Sequence, residues 1–281
     1  MSGPIAQYIV ANGLGNIIQT IPAYLYLRKK YGSVRIVCHP KWQEFTASIY
    51  DNIFNKSDRQ ISTPHHIFSS CNPNYFKTEK ISEVEKNLRL VGCQDMRYRK
   101  VDTEVTAQML TSDDLDHADK FDILVCNGYN KRGGIDHWTV KSYSKWEELI
   151  EWLSLDGYSV TSIGTRNEYI EGTYDRTEAG LKGTYDLIRQ AKLLISNDTG
   201  FYHAANVLGT KCIALFTMTD RRKNYDPMFH RNTIAMHTDL ACQPCQYNLE
   251  PLFWKTNAKV CKWACRNIPV YSIMKKVREL I

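Results

Sequence analysis

Short apolar runs alternate with stretches of helical periodicity along much of this chain. The first run, IAQYIVA at 5–11, has the length of a buried strand, and Ile17, Ile21 and Leu25 then recur at helical spacing to about Tyr31. A second run, VRIVC, follows at 34–38, so the opening reads as a βαβ unit. Pro22 does not fit a helix interior: either the helix kinks there, or it restarts with Thr20 as cap and Pro22 in its first turn. The region 41–120 is polar and irregular apart from a helical piece near 82–90. The alternation resumes with a strand at 121–126, a helix over 144–155 with Trp146, Leu149, Ile150 and Leu153 facing inward, and a strand at 160–164. Thr184 is expected to cap the next helix, whose buried face is Leu187, Ile188 and Ala191.

Two further apolar runs, 192–195 and KCIALF at 211–216, bracket a stretch with turn and cap chemistry: Asn197, Asp198, Thr199, Gly200. A helix is predicted to start near Thr199 or Gly200, to bury Phe201, Ala204, Ala205 and Leu208, and to stop at Gly209. A helix that begins at the carboxyl end of a parallel strand turns its unpaired N–H groups and positive dipole end into the crevice where open sheets bind ligands. Such a site suits a phosphate. The chain ends in a basic amphipathic helix over 270–281.

Composition changes this picture in a few places. At 281 residues, two α/β lobes are the natural expectation, and 43% hydrophobic with 23% charged residues is the balance of a soluble globular protein. The formal charge of +6 favours an anionic ligand, or serves solubility alone. Nine cysteines, an odd number, speak for a reducing cytoplasm rather than a disulfide framework. No secretion signal and no transmembrane run is expected, so work on membrane material would be done from the surface. The segment Gly13-Leu14-Gly15 opens a G-x-G-x-x-G, but Ile18 stands at the third glycine and Cys38-His39-Pro40 stands where a ribose-binding acid belongs. A dinucleotide site is disfavoured, and the missing Walker lysine disfavours a P-loop.

The stretch from Ser196 to Thr210, with Asn-Asp-Thr-Gly, two residues, His203, a small-residue helix and Leu-Gly-Thr, resembles the donor-binding signature of glycosyltransferase family 9, the lipopolysaccharide heptosyltransferases. The resemblance implies that Asp198, Thr199, Gly200 and His203 line a nucleotide-sugar diphosphate pocket. The opening, Gly13-Leu14-Gly15-Asn16 followed by Thr20-Ile21-Pro22-Ala23 and a basic helix, resembles the start of the same family, with Gly13 and Gly15 letting the sugars approach the backbone. So does the second lobe. Its glycine-rich loop carries Lys131 and Arg132, which either fold over a diphosphate and stabilise the departing nucleotide or are simply solvated. Lys141 follows His137-Trp138-Thr139-Val140 on the donor side, and Glu168 after Gly164 is the ribose candidate.

One position departs from the family pattern. The family carries an Asp regarded as the general base where this chain has Asn16, and an amide cannot take a proton from a hydroxyl at neutral pH. Either another group serves, with His39 and His66 as candidates, or Asn16 positions a more acidic acceptor. Cys242-Gln243-Pro244-Cys245 and Cys261 with Cys265 are spaced for a tetrahedral structural zinc, or are packed and free thiols.

The resemblance implies an α/β protein of the GT-B class: two Rossmann-like lobes with parallel sheets facing across a cleft. The expected division is an acceptor lobe over 1–120, a donor lobe over 121–269, and a helix over 270–281 crossing back to the first lobe. The implied activity is inverting, metal-independent transfer from a nucleotide-diphosphate sugar to lipopolysaccharide core or another envelope saccharide, by a cytoplasmic monomer that needs no cofactor for catalysis. Two alternatives stand beside it. A phage-type divergent member would glycosylate a hydroxymethylated DNA base in the host cytoplasm, with Arg97-Tyr98-Arg99-Lys100, Arg221-Arg222-Lys223 and Lys275-Lys276 tracking phosphates. Loss of the base would instead leave a non-catalytic nucleotide-sugar-binding protein.

Overall fold

The computed structural model describes residues 6–10, 13–50, 53–55, 66–70, 81–111, 121–128, 140–246 and 262–281. Its first apolar run forms β1 (Ala6–Ile9), which lies between β2 (Val34–Cys38) and β4 (His66–Ser69), while β3 (Ile53–Asn55) extends the far edge. All three pairings are parallel, with Ala6 opposite both Val34 and His66. Between β1 and β2 the chain forms α1 (Leu14–Ile18) and α2 (Ile21–Tyr31) rather than one kinked helix. Thr20 stands at the cap position of α2 with Pro22 in its first turn, where a missing N–H costs nothing, and Gly32 closes it. The irregular-looking region after 41 supplies β3 and β4, together with α3 (Gln43–Ala47), α4 (Glu83–Leu90) and α5 (Thr103–Leu110). Its strands are too short and polar to show a period.

The second sheet has the order β10-β9-β8-β5-β6-β7 and is also parallel throughout. Its strands are β5 (Ile123–Cys126), β6 (Val160–Ser162), β7 (Tyr174–Asp175), β8 (Leu193–Asn197), β9 (Lys211–Phe216) and β10 (Thr233–His237). Strand order runs outward in both directions from the β5–β8 pair, so the crevice beyond the carboxyl ends of those two strands is the topological switch point.

The helices of this lobe are α6 (Trp146–Leu155), α7 (Gly180–Gln190), α8 (Gly200–Val207), α9 (Arg221–Asn224) and α10 (Val270–Leu280). Trp146, Leu149, Ile150 and Leu153 are buried as their spacing requires. Thr184 does not cap α7, which begins four residues earlier; its hydroxyl donates back to the Gly180 carbonyl inside the helix. The expectation that the last helix crosses to the N-terminal lobe is corrected as well. Val270, Ile273, Met274 and Val277 are buried in one cluster with Leu149, Leu153, Ile195 and Ile213, all of the C-terminal lobe. Arg278 pairs with Asp156 at the end of α6 (2.7 Å), and Lys211 Nζ donates to the Leu280 carbonyl, which fixes the helix on that side.

The two lobes share one buried cluster that runs from Tyr8, Ile17 and Leu88 to Tyr202, Ala205 and Phe216. Its seam is the packing of α1 on α8. That contact explains why α8 is buried over Tyr202–Val207 nearly all round instead of along the single face predicted from its sequence. Among the described residues no helix is long and apolar enough to cross a membrane.

Candidate functional site

Strand β8 delivers Asn197 to the switch point, and the chain turns through Asp198 and Thr199 into α8. Thr199 has extended backbone geometry and its Oγ1 accepts from the Phe201 N–H (3.2 Å), the side-chain cap expected of a threonine. The positive end of α8 therefore opens on the crevice.

The floor of the crevice is held by two asparagines whose partnership no sequence motif marks. Asn127 follows β5, and its Oδ1 accepts from Asn197 Nδ2 (3.0 Å), Ser142 Oγ (2.7 Å) and Trp146 Nε1 (2.6 Å). Asn197 Oδ1 accepts in turn from the Tyr143 N–H (3.2 Å). One carbonyl oxygen thus ties the ends of β5 and β8 to the segment that carries Lys141. Beside them, Gly128 is there because nothing larger fits: a Cβ at that position would lie 2.7 Å from Thr199 Cγ2 and 3.3 Å from Glu168 Oε1. Glu168 reaches the same spot from the end of β6, its Oε2 accepting from the Thr165 N–H (2.8 Å). Cys126 lies under this group, and burial pushes its thiol up to about 12, which removes it as a nucleophile.

Asp198 is buried, and its Oδ2 accepts from Asn224 Nδ2 (2.7 Å) and lies 3.9 Å from Lys141 Nζ. The lysine is held near the cap of α8 at a distance beyond direct hydrogen bonding to that carboxylate. His203 is on the next turn of α8, 3% exposed, with Nδ1 2.8 Å from Nε2 of His230, which is itself fully buried. Burial is the main cause that holds both rings neutral: His203 is lowered well below the ordinary imidazole value, with His230 and Lys141 adding to the effect. His230 is lowered to about 3, with Asp226 opposing the burial. His230 stands in the irregular stretch after α9, where no periodicity marks it.

The N-terminal lobe meets this site directly. Gly13 has a φ of 83° at the turn before α1, a left-handed conformation that suits glycine. Gly15 faces His203, since a Cβ there would stand 2.8 Å from the ring Cδ2 and 3.1 Å from Nε2. Reciprocally, a Cβ on Gly200 would strike the Leu14 side chain at 2.7 Å. The two glycine turns that resemble family motifs, nearly two hundred residues apart, are therefore in close contact. Asn16 is exposed on α1.

The other sequence candidates are placed as follows. His39 is exposed just past β2, and its Nδ1 accepts from the Lys41 N–H (3.2 Å) as a local cap. His66 opens the edge strand β4 level with Ala6, at the end of the sheet away from the turn that follows β1, its ring 4.8 Å from that of Tyr31. Lys131, Arg132 and Cys261 lie outside the described residues. Cys245 and Cys265 are buried in one cluster with Val140 and Met218, and Cys242 is exposed. Among the described residues no group of three or more His, Cys, Asp or Glu side chains is arranged to hold a metal ion.

Two of the three basic clusters converge. Arg99, Arg221 and Arg222 line a cavity of about 310 Å³ between the lobes, with Ser82, Glu85 and Asp226. Most of that charge is already matched: Arg99 contacts Glu85 (3.3 Å) and Asp226 (3.2 Å), and Arg222 pairs with Asp220 (2.9 Å). Lys223 is buried, Arg97 is paired with Asp95, and Lys276 with Glu279.

The comparisons with known proteins agree with this geometry. A sequence model of glycosyltransferase family 9 (heptosyltransferase) matches residues 84–253, more than half of the chain. No curated protein sequence matches it. Among solved structures, the iron-containing dodecameric glycosyltransferase TibC from enterotoxigenic E. coli H10407 is 14% identical with a TM-score of 0.69, over 99% of this chain and 77% of that one. E. coli heptosyltransferase WaaC with ADP-2-deoxy-2-fluoro heptose is 14% identical with a TM-score of 0.60, over 90% of this chain and 100% of that one. The glycosyl transferase family 9 protein from Veillonella parvula DSM 2008 is 12% identical with a TM-score of 0.62, over 99% and 97%. At such identities the likeness speaks to fold, and the fold is GT-B.

Proposed function

The chain belongs to glycosyltransferase family 9, and we propose that it moves a sugar from a nucleotide-diphosphate sugar, bound on its C-terminal lobe, to a hydroxyl of an envelope saccharide such as lipopolysaccharide core, with inversion and without a metal in the chemical step. The observation that carries this reading is the Asp198-Thr199-Gly200 turn at the β5–β8 switch point, ringed by Lys141, Glu168 and His203 and closed from above by the Gly15 turn.

Transfer needs stabilisation of the leaving diphosphate and a base for the acceptor hydroxyl. The first is supported by the amino end of α8, the nearby Lys141 and an imidazole N–H of His203, with Lys131 and Arg132 proposed to close over the phosphates. Glu168 is proposed to accept from a ribose hydroxyl. For the second, Asn16 stands beside the contact of the lobes and is proposed to orient the acceptor. His39 acts as a surface cap in this arrangement, which does not favour it as the base. The interlobe cavity is lined by Arg99, Arg221 and Arg222 together with Glu85 and Asp226, a mixed polar lining that suits a saccharide acceptor rich in hydroxyls. WaaC and TibC are similar proteins whose structures hold ADP-heptose compounds, which makes an ADP-sugar the first donor to try.

Calorimetry with a panel of nucleoside diphosphates, followed by a transfer screen offering lipopolysaccharide acceptors beside hydroxymethylcytosine DNA, tests the reading. Binding of a diphosphate and transfer to a saccharide are expected. Transfer to DNA alone, with binding that weakens steeply in salt, would replace the acceptor; donor bound but never consumed would make the chain a nucleotide-sugar-binding protein. The internal pairing within the three basic clusters speaks against DNA. We propose that the working unit is a monomer, whereas TibC is described as dodecameric.

We also propose that Cys242, Cys245, Cys261 and Cys265 hold one structural metal that would gather them: Cys242, Cys245 and Cys265 are not arranged as a ligand set here, but Cys245 and Cys265, 20 positions apart, are buried in the same cluster, and thiolates suit zinc or iron. TibC is described as iron-containing, so elemental analysis of the purified chain should look for both metals. About one equivalent per chain is expected, lost together with several degrees of melting temperature in Cys245→Ser; a metal-free chain with an unchanged variant melt would withdraw the site.

A further inference from the structure

His203 and His230 form a directed pair whose proton positions can be followed from the backbone. The Asp226 N–H donates to His230 Nδ1 (2.9 Å), so that nitrogen carries a lone pair. The Asp226 carbonyl is 3.2 Å from the same nitrogen, but a proton placed there to reach it would strand a buried backbone N–H. The His230 proton therefore sits on Nε2 and points at His203 Nδ1, 2.8 Å away. That leaves the His203 proton on Nε2, the nitrogen that a Cβ built on Gly15 would approach, at 3.1 Å. The residue from which this relay starts is itself firmly anchored. Asp226 is 1% exposed; its Oδ2 accepts from Ser82 Oγ (2.5 Å) and Arg99 (3.2 Å) of the N-terminal lobe, and its Oδ1 from the Met228 (2.8 Å) and Phe229 (3.2 Å) N–H groups.

We propose that His230 is a positioning residue: it fixes His203 as a neutral ring with its proton on Nε2, so that His203 meets the donor diphosphate as a hydrogen-bond donor and does not serve as the base. This rests on the donor-site reading above and adds the partner that sets the chemistry of one of its groups. The device links the lobes, because the carboxylate that seats the His230 loop is held by Ser82 and Arg99, while the N–H it finally directs faces Gly15. A histidine free to rotate or exchange tautomers would present a lone pair to the phosphate part of the time, and a lone pair facing a phosphate oxygen repels it.

Long-range ¹H–¹⁵N spectra of the full chain labelled with [¹⁵N]histidine test this without any substrate. The wild type is expected to show His203 with a protonated Nε2 and a bare Nδ1 at neutral pH. His230→Ala should blur that pattern into a tautomer mixture and lower kcat/KM for the donor about tenfold, the worth of one well-directed hydrogen bond. His230→Gln, whose amide can donate to the same Nδ1, should restore the ring signals and bring kcat/KM back within about threefold. A wild-type His203 protonated on Nδ1 or on both nitrogens overturns the proposal, as do equal losses in the Ala and Gln variants with unchanged ring signals. A chain that shows the Nε2 proton yet binds no nucleoside diphosphate would sink the donor-site reading and leave the positioning in place.

Discussion

Asp198→Ala is expected to lower kcat/KM for the sugar donor by about a hundredfold or more, the scale of losing directed charge at a leaving group. The carboxylate does not meet an anionic diphosphate as an attractive partner; its effect passes through the groups it holds. It keeps the Lys141 ammonium within 3.9 Å at the amino end of α8, and it accepts from Asn224 Nδ2, whose backbone carbonyl in turn takes the Tyr202 hydroxyl. Without it Lys141 loses a charged neighbour and Asn224 the acceptor of its side-chain amide. The stability cost should be modest, about 1–2 kcal/mol, since no cavity of apolar size is opened. Lys141→Ala should lose activity to a similar degree, and the double variant should be much less impaired than the product of the two, because the residues act as one unit. Steady-state kinetics and a thermal melt decide the matter. Unchanged donor use in a folded Asp198→Ala protein would remove this turn from the site.

The second large effect is on stability in mild acid. His203 and His230 are both neutral in the folded chain, whereas in the unfolded chain they titrate near 6.5. Below that pH the unfolded state binds up to two protons that the folded state refuses, so their contribution to stability is constant above about pH 7 and is lost as pH falls. The limiting slope is about 1.4 kcal/mol per pH unit for each ring that stays neutral, and between pH 7 and pH 5 His230 alone should remove about 2 kcal/mol, with His203 adding in the same direction. For His230 the loss continues to about 3, where the folded ring at last takes a proton. Set against typical domain stabilities of about 5–15 kcal/mol, this is enough to unfold a marginal protein. Denaturant titrations at pH 7, 6 and 5 should show the midpoint falling steeply, and His230→Gln should reduce the slope by about half. A midpoint that is flat over this range would mean that both rings take up protons in the folded state, and half the slope that one of them does.

Much of this protein is legible in its amino-acid sequence. The strand–turn–helix at Asp198 to Gly209 folds as its residues require: a polar turn, a threonine cap, small residues for close packing, a glycine with φ of 83° at the end. Pro22 marks a break in the first helical stretch, and of the kink and the restart that its ring allows, the chain takes the restart. These are local matters, and local sequence decides them, because caps, backbone freedom and the helical period act within a few residues of one another.

Long-range packing settles matters of another kind. The short strands β3 and β4 show no period, since their order comes from pairing with neighbours and not from their own composition. The place of α10 depends on which apolar face lies opposite, and its sequence says only that it has a face to bury. Asn127 and Asn197 look like ordinary turn residues until the fold brings them, 70 positions apart, within 3.0 Å. The contact of Gly15 with His203, and the partnership of His203 with His230, likewise join segments whose own sequences carry no trace of each other. Residue types and their local spacing determine which groups are able to bind a diphosphate and where the chain turns. Which atom of His203 carries the proton is determined only in the folded chain, because it depends on a hydrogen bond to a residue 27 positions away and on the exclusion of water around both rings.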